Sequence, residues 1–229
     1  IRKPEGLVMY PLAFPLTQPL VREASSLKSV STDLESIGKT WQKPLFLKGN
    51  FLCTRSKALS IEAVGLVHLK ESVIFGSIVC KGTTTGWYSQ VKIIDTESSV
   101  SLIGCGVENV MAKGGISCKE STVGTLKGGV LRLEKSVVYG NISCMGLSTI
   151  FSSQVTGCIT YMGSEIYVSN SLIRSIICQK PVNLALKSQV VYLHNCRVLG
   201  SISFESGQGK VIATGSTPKL RCVSPKIWV

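Results

Sequence analysis

Aspartate and histidine are almost missing from this chain of 229 residues: Asp33 and Asp95, His68 and His194 are all there are. Two histidines leave little scope for an imidazole base beside a nucleophile, and two aspartates little for calcium cages or carboxylate dyads. Charged residues make up only 17% of the chain, below the roughly 25% of an average soluble domain. No C-x-x-C pair, no G-x-G-x-x-G and no phosphate-binding G-x-x-x-x-G-K-S/T occurs, so zinc, dithiol redox and nucleotide chemistry lose their usual signatures. No apolar run of about 18 residues is present, so no transmembrane helix is expected. The apolar segment from Leu7 to Leu20 is interrupted by Pro11, Pro15 and Pro19. It fits an extended arm over one end of the fold, or a membrane-touching anchor, better than a secretory leader.

What is abundant is small and apolar. Hydrophobic residues make up 44% of the chain, and Ser, Gly, Val, Ile and Leu dominate, which suits short strands joined by tight turns and excludes general disorder. The formal charge of +12 comes from 25 basic and 13 acidic residues. The lysines are dispersed, so the balance implies a solubilising surface with a weak anionic preference and no specific nucleic acid. The nine cysteines are odd in number and irregular in spacing. Cys80, Cys118, Cys144 and Cys178 close strand-like segments, as buried free thiols would. That pattern implies a reducing compartment, the cytoplasm, with membrane association through the basic, apolar N-terminal region.

A repeat organises the rest. Val67 to Cys80, Leu131 to Cys144 and Val191 to Phe204 align without gaps, and looser copies lie between them. In the second copy Leu131, Leu133, Val138, Ile142 and Cys144 fall on one side of a period of two, and Arg132, Glu134, Tyr139, Asn141 and Ser143 on the other. Glu71-Ser72 and Lys135-Ser136 supply a polar corner between the two short strands, and Gly76, Gly140 and Gly200 recur where a bend or bulge is needed. Short strands of this kind bury a face only by stacking, which predicts an all-β solenoid, a right-handed parallel β-helix. Coils of about 17 to 26 residues, spacings taken from Ile142 to Ile159 and Ile176 and from Ile116 to Ile142 and Ile176 to Ile202, seven or eight in number, give a rod of about 35 to 40 Å.

The expected layout is an arm and capping helix over residues 1–45, the β-helix over 46–217 and a tail over 218–229. The short helix rests on Leu27, Val30, Leu34 and Ile37 at three- and four-residue intervals, closed by Gly38. A left-handed β-helix is disfavoured by the uneven intervals. A β-sandwich would not require such similar motifs.

No catalytic, cofactor-binding or metal-ligating residue is expected. His68 and His194 fall on outward positions about six rungs apart. Glu62, Glu71, Glu97, Glu108, Glu120, Glu134, Glu165 and Glu205 are scattered. The doublets Gly114-Gly115 and Gly128-Gly129 read as corners. Tyr139, Tyr161, Tyr167 and Tyr192 are placed near the outer face, where they could form a stacking strip for sugars or bases.

The form S-V-x-x-G-x-I-x-C, at Ser72 to Cys80 and again at Ser136 to Cys144, resembles the core repeat of the bactofilins, bacterial proteins that build a right-handed β-helix and polymerise end to end. The resemblance covers about residues 60–215. It implies that Ile78, Ile142 and Ile202 stack in the core, that Gly76, Gly140 and Gly200 bend the chain, and that the end rungs are the assembly surface. The expected function is a non-catalytic structural scaffold that self-associates into homo-oligomers through its ends, with weak contact to anionic membrane. The alternatives are a glycan- or protein-binding surface module and, more distantly, a carbohydrate-active enzyme.

Overall fold

In the computed structural model, residues 29–30, 33–179, 189–205, 209–216, 221–223 and 227–228 are described. The expected arm over Leu7 to Leu20 and most of the expected tail lie outside them. The chain winds into a parallel β-solenoid of about 10 turns, with a strand in a twelve-stranded sheet and another in a sixteen-stranded sheet on successive coils. At about 4.8 Å per rung the rod is roughly 50 Å long, more coils than the seven or eight expected.

Three walls enclose the core. The twelve-stranded sheet forms one. The sixteen-stranded sheet folds into two, and several of its strands are split at the fold, as in Lys57–Ala58 with Ile61–Ala63 and Val137–Val138 with Ile142–Cys144. Parallel register then lays like on like. Leu45, Ile61, Ile78, Ile94, Val110, Leu126, Ile142, Ile159, Ile176 and Ile202 are successive partners in one column, and all of them are buried. A second column runs Ala58, Ile74, Val91, Val107, Val123, Val138, Val155, Ile173. The expected core stack of Ile78, Ile142 and Ile202 is therefore continuous, and the inward and outward sets of Leu131 to Cys144 fall as the period of two places them.

The fold between the two walls of the larger sheet is glycine-rich for a steric reason. A Cβ at Gly76 would lie 2.7 Å from the carbonyl of Leu59, at Gly140 2.7 Å from that of Gly124, and at Gly200 2.9 Å from that of Arg174. The same glycines donate N–H bonds to those carbonyls at 2.6 to 2.7 Å. The close backbone approach is what excludes a side chain.

A second corner follows eleven of the twelve strands of the smaller sheet, from Leu34–Ile37 to Gly209–Thr214. There one residue per coil is left-handed: Arg55, Glu71, Tyr88, Glu120, Lys135, Ser152, Asn170 and Asn195, with Gly38, Gly104 and Gly215 in the same place. An L-residue pays about 1 to 2 kcal/mol for that conformation. The next residue offsets it. Ser56, Ser72, Ser89, Cys105, Ser121, Ser136, Ser153 and Ser171 form an internal ladder, the backbone N–H of each of the first seven donating to the hydroxyl or thiol of the coil after it at 3.0 to 3.5 Å. Each serine hydroxyl donates in turn to the carbonyl two residues before it, at 2.7 to 2.9 Å. Buried polar atoms are thereby satisfied rung by rung. Cys105 and Cys196 occupy serine positions of this ladder, the latter donating to the carbonyl of His194.

Two expectations need correction. The interval from Ile116 to Ile142 is not a coil: Ile116 pairs with Leu131 in the smaller sheet, while Ile142 pairs with Leu126 in the larger. For the same reason Cys118, which lies opposite Leu102 and Leu133, is not a column mate of Cys80 and Cys144. The capping helix over Leu27 to Ile37 is also absent among the described residues: Ser29–Val30 and Leu34–Ile37 are strands. Inside the second of these, Ser36 points inward to the Ser56 hydroxyl while Ile37 is 55% exposed. Period two overrides the helical spacing, and Gly38, with φ 62°, turns a corner rather than ending a helix.

Candidate functional site

Two surface features gather the residues that carry chemistry. The first is a groove of about 300 Å³ on the outer face of the twelve-stranded sheet, lined by Thr149, Phe151, Tyr167, Tyr192, His194, Ile212 and Thr214 among others. Parallel register places Thr149, Tyr167, Tyr192 and Ile212 in one outward column. The rings of Tyr167 and Tyr192 stack on each other, centroids 4.4 Å apart and planes within 1°. The Tyr167 hydroxyl donates to the Glu165 carboxylate at 2.8 Å, and that acceptor pushes its phenol up to about 12. Each ring has one face occupied by the other, which leaves the outer faces of the pair, its edges and its hydroxyls to the groove.

The expected four-tyrosine strip is thus only half assembled. Tyr161 is buried, with its hydroxyl donating to the Glu165 carbonyl, and burial pushes its phenol well up. It sits in the inner column between Cys144 and Cys178. Tyr139 is 45% exposed but lies at the glycine fold of the other sheet, beside Gly140. The sequence signal that separates them is parity within the coil: Tyr161 follows inward Ile159 by two, whereas Tyr167 follows inward Ile166 by one.

The second feature is a groove of about 440 Å³ on the outer face of the larger sheet, where Glu62, Asp95 and Glu97 meet Lys48, Lys81 and Lys113 around Phe46 and Val79. Glu62 and Asp95 are both partners of Val79, hence two rungs or about 10 Å apart. These carboxylates read as scattered in sequence because coil register, which brings them together, was not yet fixed. All three are exposed, and Glu97 is engaged by the Lys113 amine at 3.6 Å. Acid–base catalysis by paired carboxylates uses one acid kept protonated by an apolar pocket, and this groove supplies open solvent and amines.

The histidines stand seven rungs apart on the same sheet, His68 bonded to Thr85 at 2.6 Å with its ring edge on Trp87, and His194 bonded to Thr214 at 2.9 Å. Gly114 and Gly129 do form a corner, where the Gly129 N–H donates to the Gly114 carbonyl at 2.8 Å, whereas Gly128 lies within a strand. Among the described residues eight cysteines are free, seven of them buried and Cys158 half-buried. Desolvation pushes the thiols of Cys105 and Cys144 up to about 11 and those of Cys118 and Cys178 up to about 12. Thiols held protonated in this way are poor nucleophiles and metal ligands. No group of three or more potential metal ligands is found among the described residues.

The chain matches no protein-family model, no curated protein and no solved structure.

Proposed function

We propose that the chain is a non-catalytic structural scaffold, a right-handed parallel β-helix of bactofilin type that associates end to end through its terminal rungs. The carrying observation is the ladder itself. Parallel pairing runs from coil to coil in both sheets, so among the described residues every strand but the terminal ones and the short Thr40–Trp41 and Arg197–Val198 has a partner on both edges, and open edges lie toward the two ends. Handedness follows from the rule for parallel crossovers, which are right-handed in nearly all cases. The motif from Ser72 to Cys80 supports the family reading, since its Ser, Gly, Ile and Cys take the corner, bend and two core places that a stacked coil requires. Free, protonated thiols support a reducing cytoplasmic setting, with contact to membrane through the N-terminal region.

Multi-angle light scattering and negative-stain electron microscopy of the full chain test the reading. Mass that grows with concentration, and filaments one rod wide, are the expected result. A monodisperse monomer at about 100 µM rules out end-to-end assembly.

A second reading, a glycan- or protein-binding module, is favoured by the Tyr167–Tyr192 groove alone. A glycan array separates the two, because a pure scaffold retains no sugar.

A further inference from the structure

Cationic charge is unevenly spread along the rod. Between Ser36 and Ile61 the chain carries Lys39, Lys43, Lys48, Arg55 and Lys57 and no acidic residue. From Glu62 to Gln179, by contrast, basic and acidic side chains nearly balance. All five of the early cations are exposed. The ion pairs formed among the described residues lie between Glu97 and Lys135, so none neutralises these five.

Coil geometry brings most of this charge to one place. Lys39 follows the left-handed corner at Gly38, and Arg55 is the left-handed corner of the next coil. Thr40 is the register partner of Lys57, and the Lys57 N–H donates to the Lys39 carbonyl at 2.8 Å. Apolar side chains lie among them. Ile37 is 55% exposed just before the corner. Trp41 is half-buried, with its indole N–H anchored on the Ser36 hydroxyl at 2.9 Å and the Lys39 amine 5.9 Å from its ring centroid.

We infer that this corner, made by Ile37, Lys39, Trp41, Arg55 and Lys57, is a docking surface for an anionic lipid bilayer. An aromatic ring at the edge of the core, anchored inward on the buried Ser36, an exposed aliphatic and clustered cations together form a surface suited to a headgroup interface. Each cation near an anionic leaflet adds an attraction that salt screens within about a Debye length. Nucleic acid fits less well, because the corner offers one tethered ring and no series of aromatic platforms for bases. The inference rests only on the membrane contact in the proposed function and is independent of end-to-end assembly.

Co-sedimentation of the full chain with vesicles of phosphatidylcholine, with and without about 30% phosphatidylserine, provides the test. The expected result is binding to the anionic vesicles alone, lost between 0.1 and 0.5 M salt. The triple variant Lys39→Glu, Arg55→Glu, Lys57→Glu is expected to bind at least about tenfold more weakly. A control of equal charge, Lys92→Glu, Lys127→Glu, Arg174→Glu, keeps its binding. Circular dichroism verifies that both variants retain the fold. Trp41→Phe is expected to remove a blue shift of the emission seen on binding. Equal binding by the first triple variant, equal loss in the control, binding to neutral vesicles, or displacement from vesicles by single-stranded RNA would each overturn the inference. Vesicle binding by a strictly monomeric protein would uphold it while removing the assembly proposal.

Discussion

The middle and the C-terminal part of the rod obey the same register with very different coil lengths. From Val67 to Leu131 the smaller sheet advances 15 to 17 residues per rung, whereas the steps from Ile166 to Val191 and from Val191 to Val211 take 25 and 20. Yet the partner columns continue across both long coils, with Ile176 on Ile202 across the first and Tyr192 on Ile212 across the second. The extra residues fall, in sequence, between Cys178 and Gln189 and between Phe204 and Gly209. Gln189 closes the longer insertion, its side-chain amide donating to the carbonyls of Gly163 and Gln179 at 2.9 and 3.0 Å. The contrast shows that a coil is specified by its walls and its serine corner, and that the third corner is free to vary in length.

Alkali should have the largest effect. The ordinary thiol value is 9.0, and the folded values of Cys105 and Cys144 are about 11 and those of Cys118 and Cys178 about 12. Above pH 9 the unfolded chain therefore binds fewer protons than the folded one, so stability falls as pH rises and keeps falling until about pH 11 to 12. Urea midpoints from pH 7 to 10.5 should be flat to about pH 9 and drop steeply beyond it. A profile flat to pH 10.5 would show that these thiols are not buried.

Core truncation comes next and bears directly on the comparison. Ile142→Ala in the regular part and Ile202→Ala beyond the long coil should each cost about 2 to 5 kcal/mol by urea unfolding. Both residues are fully buried in one column. A cost at Ile202 below about 1 kcal/mol would mean that the long coil interrupts the stack.

At the serine corner, Ser136→Ala removes the acceptor of the Ser121 N–H and should cost about 1 to 3 kcal/mol. Ser136→Cys should cost less, because Cys105 already fills the same place. Smallest of all, Glu120→Gly relieves a left-handed residue at φ 51° and should raise stability by about 1 kcal/mol. Ser152→Val at the same corner should lower it by a similar amount.

Much of the interior was legible in the sequence because stacked walls repeat in kind. Ile78, Ile142 and Ile202, with Gly76, Gly140 and Gly200, declare a column and a bend through identity at matched positions. What escaped was anything that depends on the phase of one coil against another. Ile116 and Ile142 look alike but belong to different sheets, and Tyr161 looks like a surface tyrosine until its parity is known. The serine corner was visible in outline at Glu71-Ser72 and Lys135-Ser136, but its full extent was hidden by variation in the left-handed residue and by cysteine standing for serine. The helical spacing that ends at Leu34 and Ile37 was overridden there by strand pairing with Phe51–Thr54. Glu62, Asp95 and Glu97 met only through register.

Distances between spin labels on one outward column test the stacked register most directly. Thr85 and Thr149 are four rungs apart, and Thr149 and Ile212 three. With labels at those positions and the buried native thiols left unmodified, stacking predicts separations near 19 and 14 Å, in the ratio of rungs, although the two pairs are almost equally far apart in sequence. Equal separations, or a broad distribution for either pair, would contradict a single continuous coil.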